Sequence, residues 1–190
     1  MTKRLIVGIS GASGAIYGVR MLEALRDAKI ESHLVMTKTA AMTLAYETDY
    51  TAKHVASLAS VVHSAEDLGA AISSGSFKTL GMVVAPCSMR SVSEIAYGNT
   101  TGLLTRAADV QLKERRRVVL LAREAPLHVG HLRALTQAAE IGAVILPPVP
   151  AFYARPKTIE DLVAHTVGRA LDLFDIESGL VKRWGETPSV

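Results

Sequence analysis

Apolar runs of strand length alternate along the chain with stretches whose apolar positions recur at helical spacing. Leu5-Ile6-Val7-Gly8-Ile9 is the first run and ends in the small-residue turn Ser10-Gly11-Ala12-Ser13-Gly14. Residues 33–36, 82–85, 118–122 and 143–146 repeat the pattern; the third run is punctuated by Pro86-Cys87-Ser88 and the last is closed by Pro147-Pro148. After the first turn Ile16, Val19, Leu22 and Leu25 share one helical face. The same periodicity predicts helices over 39–46, 91–96, 103–113, 131–141 and 159–174, the last opened by Thr158 as N-cap with Asp161 three positions on. The stretch 50–80 is less regular; helix is expected at 55–62 and 65–72, followed by a Ser-Gly loop at 73–76. Strands without polar alternation, separated by helices, belong in a parallel sheet covered on both faces. The expected fold is therefore α/β: a three-layer α/β/α arrangement, doubly wound around a mostly parallel sheet, in one domain spanning 1–190.

Composition narrows the class. With 190 residues, 49% hydrophobic and 21% charged, the chain has enough apolar content to bury a core and is not of the disordered type. No apolar run reaches the roughly 18 residues of a membrane span. The N-terminus lacks a signal-peptide pattern, so a cytoplasmic protein is expected. A single cysteine, Cys87, excludes an intrachain disulfide and a cysteine-based zinc site, and reads as a small buried hydrophobe. Net charge is only +3, and the densest basic run, Lys113 to Arg117, includes Glu114. Nucleic-acid binding would need a longer basic stripe or interleaved aromatics, and aromatics are 5%.

In such sheets ligands bind beyond the carboxyl ends of the strands. The residues expected there are Ser10 to Gly14, Thr37, Pro86 to Ser91, Arg123-Glu124 and the stretch from Pro147 to Tyr153. The first turn opens a helix, and its N–H groups could hold an anion or could simply allow tight strand–helix packing. It is a poor dinucleotide fingerprint, and the second strand ends in Met36-Thr37 with no acid for a ribose. A mononucleotide, with its phosphate near this turn and hydroxyls on Thr37 and Ser88, fits better. No G-x-S-x-G elbow or H-E-x-x-H pair is present, and His128 with His131 reads as a helix start before a metal pair. Arg106 and Lys113 are two turns apart on one helix face, a phosphate clamp or a solvated stripe.

Seven short motifs, in order, carry a family likeness: Gly11-Ala12-Ser13-Gly14-Ala15, Tyr46-Glu47-Thr48-Asp49, Pro86-Cys87-Ser88, Arg106-Ala107-Ala108-Asp109-Val110 with Leu112-Lys113-Glu114-Arg115, Arg123-Glu124-Ala125-Pro126, Pro150-Ala151-Phe152-Tyr153 and Arg183-Trp184-Gly185. In these the chain resembles the UbiX-type flavin prenyltransferases, Rossmann-like members of an FMN-binding flavoprotein group that also contains cysteine decarboxylases. The resemblance implies that reduced FMN is alkylated at N5 by dimethylallyl phosphate and cyclised through C6. The product, prenylated FMN, serves a partner UbiD-type decarboxylase of aromatic acids. It implies FMN contacts at Gly11, Ala12, Ser13, Thr37, Ser88, Met89, Arg90, Ser91 and Arg123. It places the dimethylallyl phosphate on Tyr153 and Arg169, with Arg106 and Lys113 completing the phosphate pocket. Glu47 and Glu124 match acids linked to phosphate departure and proton transfer, Ser13 a proton relay near N5, and no metal is required.

The resemblance further implies a homo-oligomer, usually a dodecamer, with a C-terminal contact tail. Trp184 is either part of a π-rich allyl cavity or a docking residue at a subunit contact. Two departures stand out: a short loop at Gly75-Ser76-Phe77, and the bulky Arg90, which points to a hydroxyaromatic-acid decarboxylase as partner. Two other classes remain. A flavin-dependent cysteine decarboxylase would need an early His base and a Pro-x-x-Asn motif, neither evident. A non-catalytic FMN carrier or decarboxylase subunit would bind FMN without changing it.

Overall fold

The structure is a computed structural model and describes residues 3–183 and 185; Trp184 lies outside the described residues. Six strands, β1 (Arg4–Ile9), β2 (Glu31–Met36), β3 (Val61–His63), β4 (Gly81–Cys87), β5 (Arg117–Ala122) and β6 (Ala143–Ile145), form one sheet in the order β3-β2-β1-β4-β5-β6. Every pairing is parallel. Among the described residues seven helices accompany them: α1 (Ala15–Asp27), α2 (Lys38–Glu47), α3 (Ala52–Leu58), α4 (Met89–Ala96), α5 (Leu103–Lys113), α6 (Val129–Glu140) and α7 (Ile159–Asp172).

Because side chains alternate along a strand, each central strand supplies both faces. Leu5, Val7 and Ile9 of β1, Val83 of β4 and Val119 of β5 pack with α1, α2, α3 and α7. Ile6, Met82, Val84 and Leu120 point the other way, into a second core with α4, α5 and α6. Gly8 permits the close packing of this second layer: a Cβ there would stand 2.9 Å from Met82 Cε and 3.2 Å from Leu104. Thr158 and Asp161 form the expected reciprocal cap at the head of α7.

The chain winds outward from β1 to β2 and β3, then returns to β4 on the other side of β1. The carboxyl ends of β1 and β4 thus part at the reversal point, where the fold leaves a crevice. Ser10 ties its two walls. Its hydroxyl donates to Pro86 O at 3.0 Å and accepts the Ser88 N–H at 2.7 Å.

The helix expected at 55–62 is found only in its first half, and the one expected at 65–72 is not found. The first ends at Leu58, and Val61–His63 is the edge strand β3. A two-residue lock selects strand over helix: Ser32 N–H donates to Ser60 Oγ and Ser60 N–H to Ser32 Oγ, both at 3.1 Å. The second stretch is a series of turns ending in a 3-10 turn over Ala71–Ser73. There the Asp67 carboxylate takes the Gly69 N–H at 3.0 Å, a local bond that competes with helix formation.

Candidate active site at the carboxyl edge of the sheet

The helices that leave β1, β2 and β4 all begin at this crevice. Thr37 caps α2 by accepting the Ala40 N–H at 3.1 Å, and Ser88 caps α4 by accepting the Ser91 N–H at 3.3 Å. Such caps are why hydroxyl residues occur where strands hand over to helices. Between these two helix heads lies a cavity of about 250 Å³ whose lining includes Ser10, Gly11, Thr37, Thr39, Ser88 and Ser91. Its far wall is the approach to α5, with Thr101, Gly102 and Thr105. Gly11 is forced by space, since a Cβ there would stand 2.5 Å from the Thr39 side chain. A hydroxyl-rich crevice between two helix heads suits a phosphate and a polyol.

The head of α1 is differently used. Gly14, at φ 100, turns the chain so that its N–H and that of Ala15 donate to Glu47 Oε2, at 2.7 and 3.2 Å. Partial burial pushes the Glu47 carboxyl up, but hydrogen bonds from the Ser13 hydroxyl and from both amides, with the positive charge of Arg123, outweigh it and hold it below the ordinary carboxylate range. The anion expected on this turn is therefore an internal one, which leaves the α4 head for a ligand. Ser13, Glu47 and Arg123 meet here, although they lie on three separate segments.

Other expected residues are placed less simply. Met89 is buried in the second core, so what it offers the crevice is backbone from the first turn of α4. Arg90 is exposed, and its Nε donates to Glu94 Oε1 at 2.8 Å; Thr101 Oγ1 donates to the other oxygen at 2.9 Å. Glu124 is exposed after β5, where it accepts the Ala125 N–H at 3.1 Å. Arg106, in the first turns of α5, pairs with Asp109 at 3.2 Å. Tyr153 sits on a 3-10 turn over Phe152–Ala154, with its hydroxyl 3.3 Å from His165 Nε2. Arg169 donates to Asp172 at 2.9 Å, and Arg183 shares that carboxylate.

Lys113 is the exception. It ends α5 beside the start of β5, at the amino edge of the sheet, where it pairs with Glu114 at 2.5 Å. Within one chain it does not reach the crevice, so the clamp with Arg106 does not form there. The two are seven residues apart on a rigid helix, roughly 10 Å along its axis at 1.5 Å per residue.

Further lining residues escaped the sequence reading: Lys38, Glu66, Glu94 and Thr105. Lys38 and Glu66 form a 2.8 Å ion pair between α2 and the turns after β3. A larger depression of about 590 Å³ opens at the amino edge among Leu80, Arg117, Ile141 and Phe174. It gathers none of the expected site residues and lies opposite the strand reversal, so the smaller cavity is the better candidate. Cys87 is fully buried, and burial pushes its thiol far above the usual range, which removes it as a nucleophile. His128 accepts the Gly130 and His131 N–H groups and so starts α6. Among the described residues no group of three or more His, Cys, Asp or Glu could hold a metal.

The family model for flavoproteins matches residues 1–171. The flavin prenyltransferase UbiX of Escherichia coli K12 is 62% identical over 185 residues, covering 96% of this chain and 98% of that protein. The crystal structure of AnUbiX (PadA1), in complex with FMN and dimethylallyl pyrophosphate, superposes with a TM-score of 0.97 at 49% identity, covering 99% of this chain and 100% of that one. The dodecameric FMN-dependent UbiX-like decarboxylase of Escherichia coli O157:H7 follows with a TM-score of 0.93 at 48% identity, covering 95% and 98%.

Proposed function

The chain belongs to the flavoprotein family and, within it, to the UbiX flavin prenyltransferases, and from that premise we propose how its residues divide the work. FMN occupies the crevice between the heads of α2 and α4. Gly11, Ala12, Ser13, Thr37, Ser88, Met89, Arg90, Ser91 and Arg123 hold it. When bound in reduced form, the flavin supplies the nucleophile for the dimethylallyl group. The observation that carries this reading is the hydroxyl-lined crevice itself, where Ser88 caps the α4 head only at the Ser91 N–H while Glu47 takes two amides of the α1 head.

Cleavage of the allylic C–O bond leaves phosphate with both bonding electrons, so the site must lower a growing negative charge. Arg106, Arg169 and the Tyr153 hydroxyl take that task. Glu124, exposed at the end of β5, exchanges protons with the departing phosphate. Ser13 directs its hydroxyl hydrogen at the Glu47 carboxylate, so its oxygen keeps its acceptor lone pairs and can pass a proton on to that carboxylate.

Lys113 reaches a phosphate only from a second copy, because its own chain holds it at the opposite edge. A dodecamer like that of the Escherichia coli O157:H7 relative provides such a neighbour. The product, prenylated FMN, passes to a UbiD-type decarboxylase acting on hydroxyaromatic acids.

The test is anaerobic incubation of the protein with reduced FMN and dimethylallyl phosphate, then mass spectrometry of the released flavin. A gain of one C5 unit is expected. Unmodified FMN, tightly bound under verified reducing conditions, would instead favour a carrier.

A further inference from the structure

For a transferase the flavin is a reactant, so the crevice must hold it and then let the altered molecule go. The charged residues of the lining bear on that requirement. Among the described residues they are two cations and two carboxylates: Lys38 and Arg90, Glu66 and Glu94. Each cation is matched. Lys38 pairs with Glu66 at 2.8 Å between α2 and the turns after β3, and Arg90 with Glu94 at 2.8 Å along α4. Helix stability does not account for this arrangement. Lys38 is the first residue of α2 and Arg90 the second of α4, and a cation in a first turn opposes the helix dipole. Arg90 four residues before Glu94 is also the less favourable order for an i,i+4 pair. A phosphate at these helix heads, by contrast, gains from the cations and from the dipoles together.

We infer that Glu66 and Glu94 are release and specificity determinants of the flavin crevice, competing with the phosphate ester of the nucleotide for Lys38 and Arg90 so that the flavin dissociates readily. The inference rests on the transferase reading above. In the α4 pair the carboxylate is the fixed partner. The Glu94 side chain is only 16% exposed, and its second oxygen accepts the Thr101 hydroxyl at 2.9 Å, whereas Arg90 is 78% exposed and able to swing to a phosphate oxygen. The hydrogen bond from Lys38 holds the Glu66 carboxyl below its ordinary range, so that pair is charged on both sides at neutral pH. A phosphate gains the two cations only by drawing them from carboxylates that stay close by and repel it. Riboflavin, with the same ring and polyol and no phosphate, meets no such competition.

The test measures equilibrium affinity and dissociation rate of FMN and of riboflavin for the parent, Glu66→Gln, Glu94→Gln and the double variant. Gln keeps an acceptor for the Thr101 hydroxyl and removes only the charge. Each single variant is expected to bind FMN about threefold more tightly and the double variant about tenfold, mostly through slower dissociation, with riboflavin within about twofold of the parent. Because the effect is one of charge, the gain on FMN should shrink at high salt. The prenylated product should also leave the double variant more slowly than the parent. An unchanged or weaker affinity for FMN, an equal gain on riboflavin, or a gain indifferent to salt overturns the role of the two carboxylates and leaves the transferase reading intact. Unmodified flavin from the parent protein under verified reducing conditions overturns the transferase reading itself, and with it the need for release.

Discussion

At the scale of single residues, Glu47 joins structure to chemistry most directly. It lies 33 positions beyond Gly14 in sequence and yet caps α1, satisfying two of the N–H groups that any helix leaves unpaired at its start. A carboxylate at that end also gains from the helix dipole, and Glu47→Gln is expected to lower stability by about 0.3–1 kcal/mol at neutral pH. The direction with pH follows from its lowered pKa. The unfolded chain takes up the proton first, so the stabilisation is full above about 4.5 and is lost as pH falls through the lower value of the folded protein. Urea titrations from pH 7 to pH 3 should show a shallower acid-side decline in the Gln variant than in the parent. A parallel decline would mean that the carboxylate contributes nothing specific.

At the scale of elements, the legible parts were those in which one pattern met no competitor. The strands β1, β2, β4, β5 and β6 announce themselves as apolar runs because both faces are covered, and the helix pattern of α1 or α7 is amphipathic over three or more turns. β3 failed that test. It is three residues long at the edge of the sheet, Val61 and Val62 are exposed, and its register is set by a seryl pair whose members are 28 residues apart. No local pattern contains that information. Ser60→Ala removes one half of the lock and leaves the Ser32 N–H without its partner; a loss of about 1–3 kcal/mol is expected, with faster hydrogen exchange at the β3 amides than at those of β1. Uniform acceleration across the sheet would show that β3 does not open separately. In the crevice, the strand-end residues Ser10, Thr37 and Ser88 could be found from sequence because the strands could. Lys38, Glu66 and Glu94 could not, since only the tertiary path of α2, α4 and the turns after β3 brings them to one wall.

At the scale of the whole molecule, the outer face of α6 is one apolar surface that a lone subunit leaves in water. Leu127, Val129 and Leu132 are 41%, 62% and 50% exposed, and Val149 and Phe152 lie on the following connection at 71% and 76%. Exposed apolar residues grouped in this way are the mark of an assembly surface. Leu132→Asp is expected to reduce the sedimenting mass without unfolding the subunit, as judged by unchanged far-ultraviolet circular dichroism. If Lys113 serves a neighbour, the dissociated variant should also lose phosphate affinity while keeping FMN. An unchanged mass would place the contacts on another face.

The occupied head of α1 has a consequence for the ligand's sense of direction. The α1 head carries the negative charge of Glu47 while the α4 head keeps the positive end of its helix dipole, so the helix starts that leave β1 and β4 differ in sign before anything enters. A flavin nucleotide, with a doubly charged tail and a neutral ring system, would then meet an energetic gradient that distinguishes head from tail, and reversed entry would set phosphate against carboxylate. Glu47 in this view works as a one-way valve for orientation, built from the protein's own side chain.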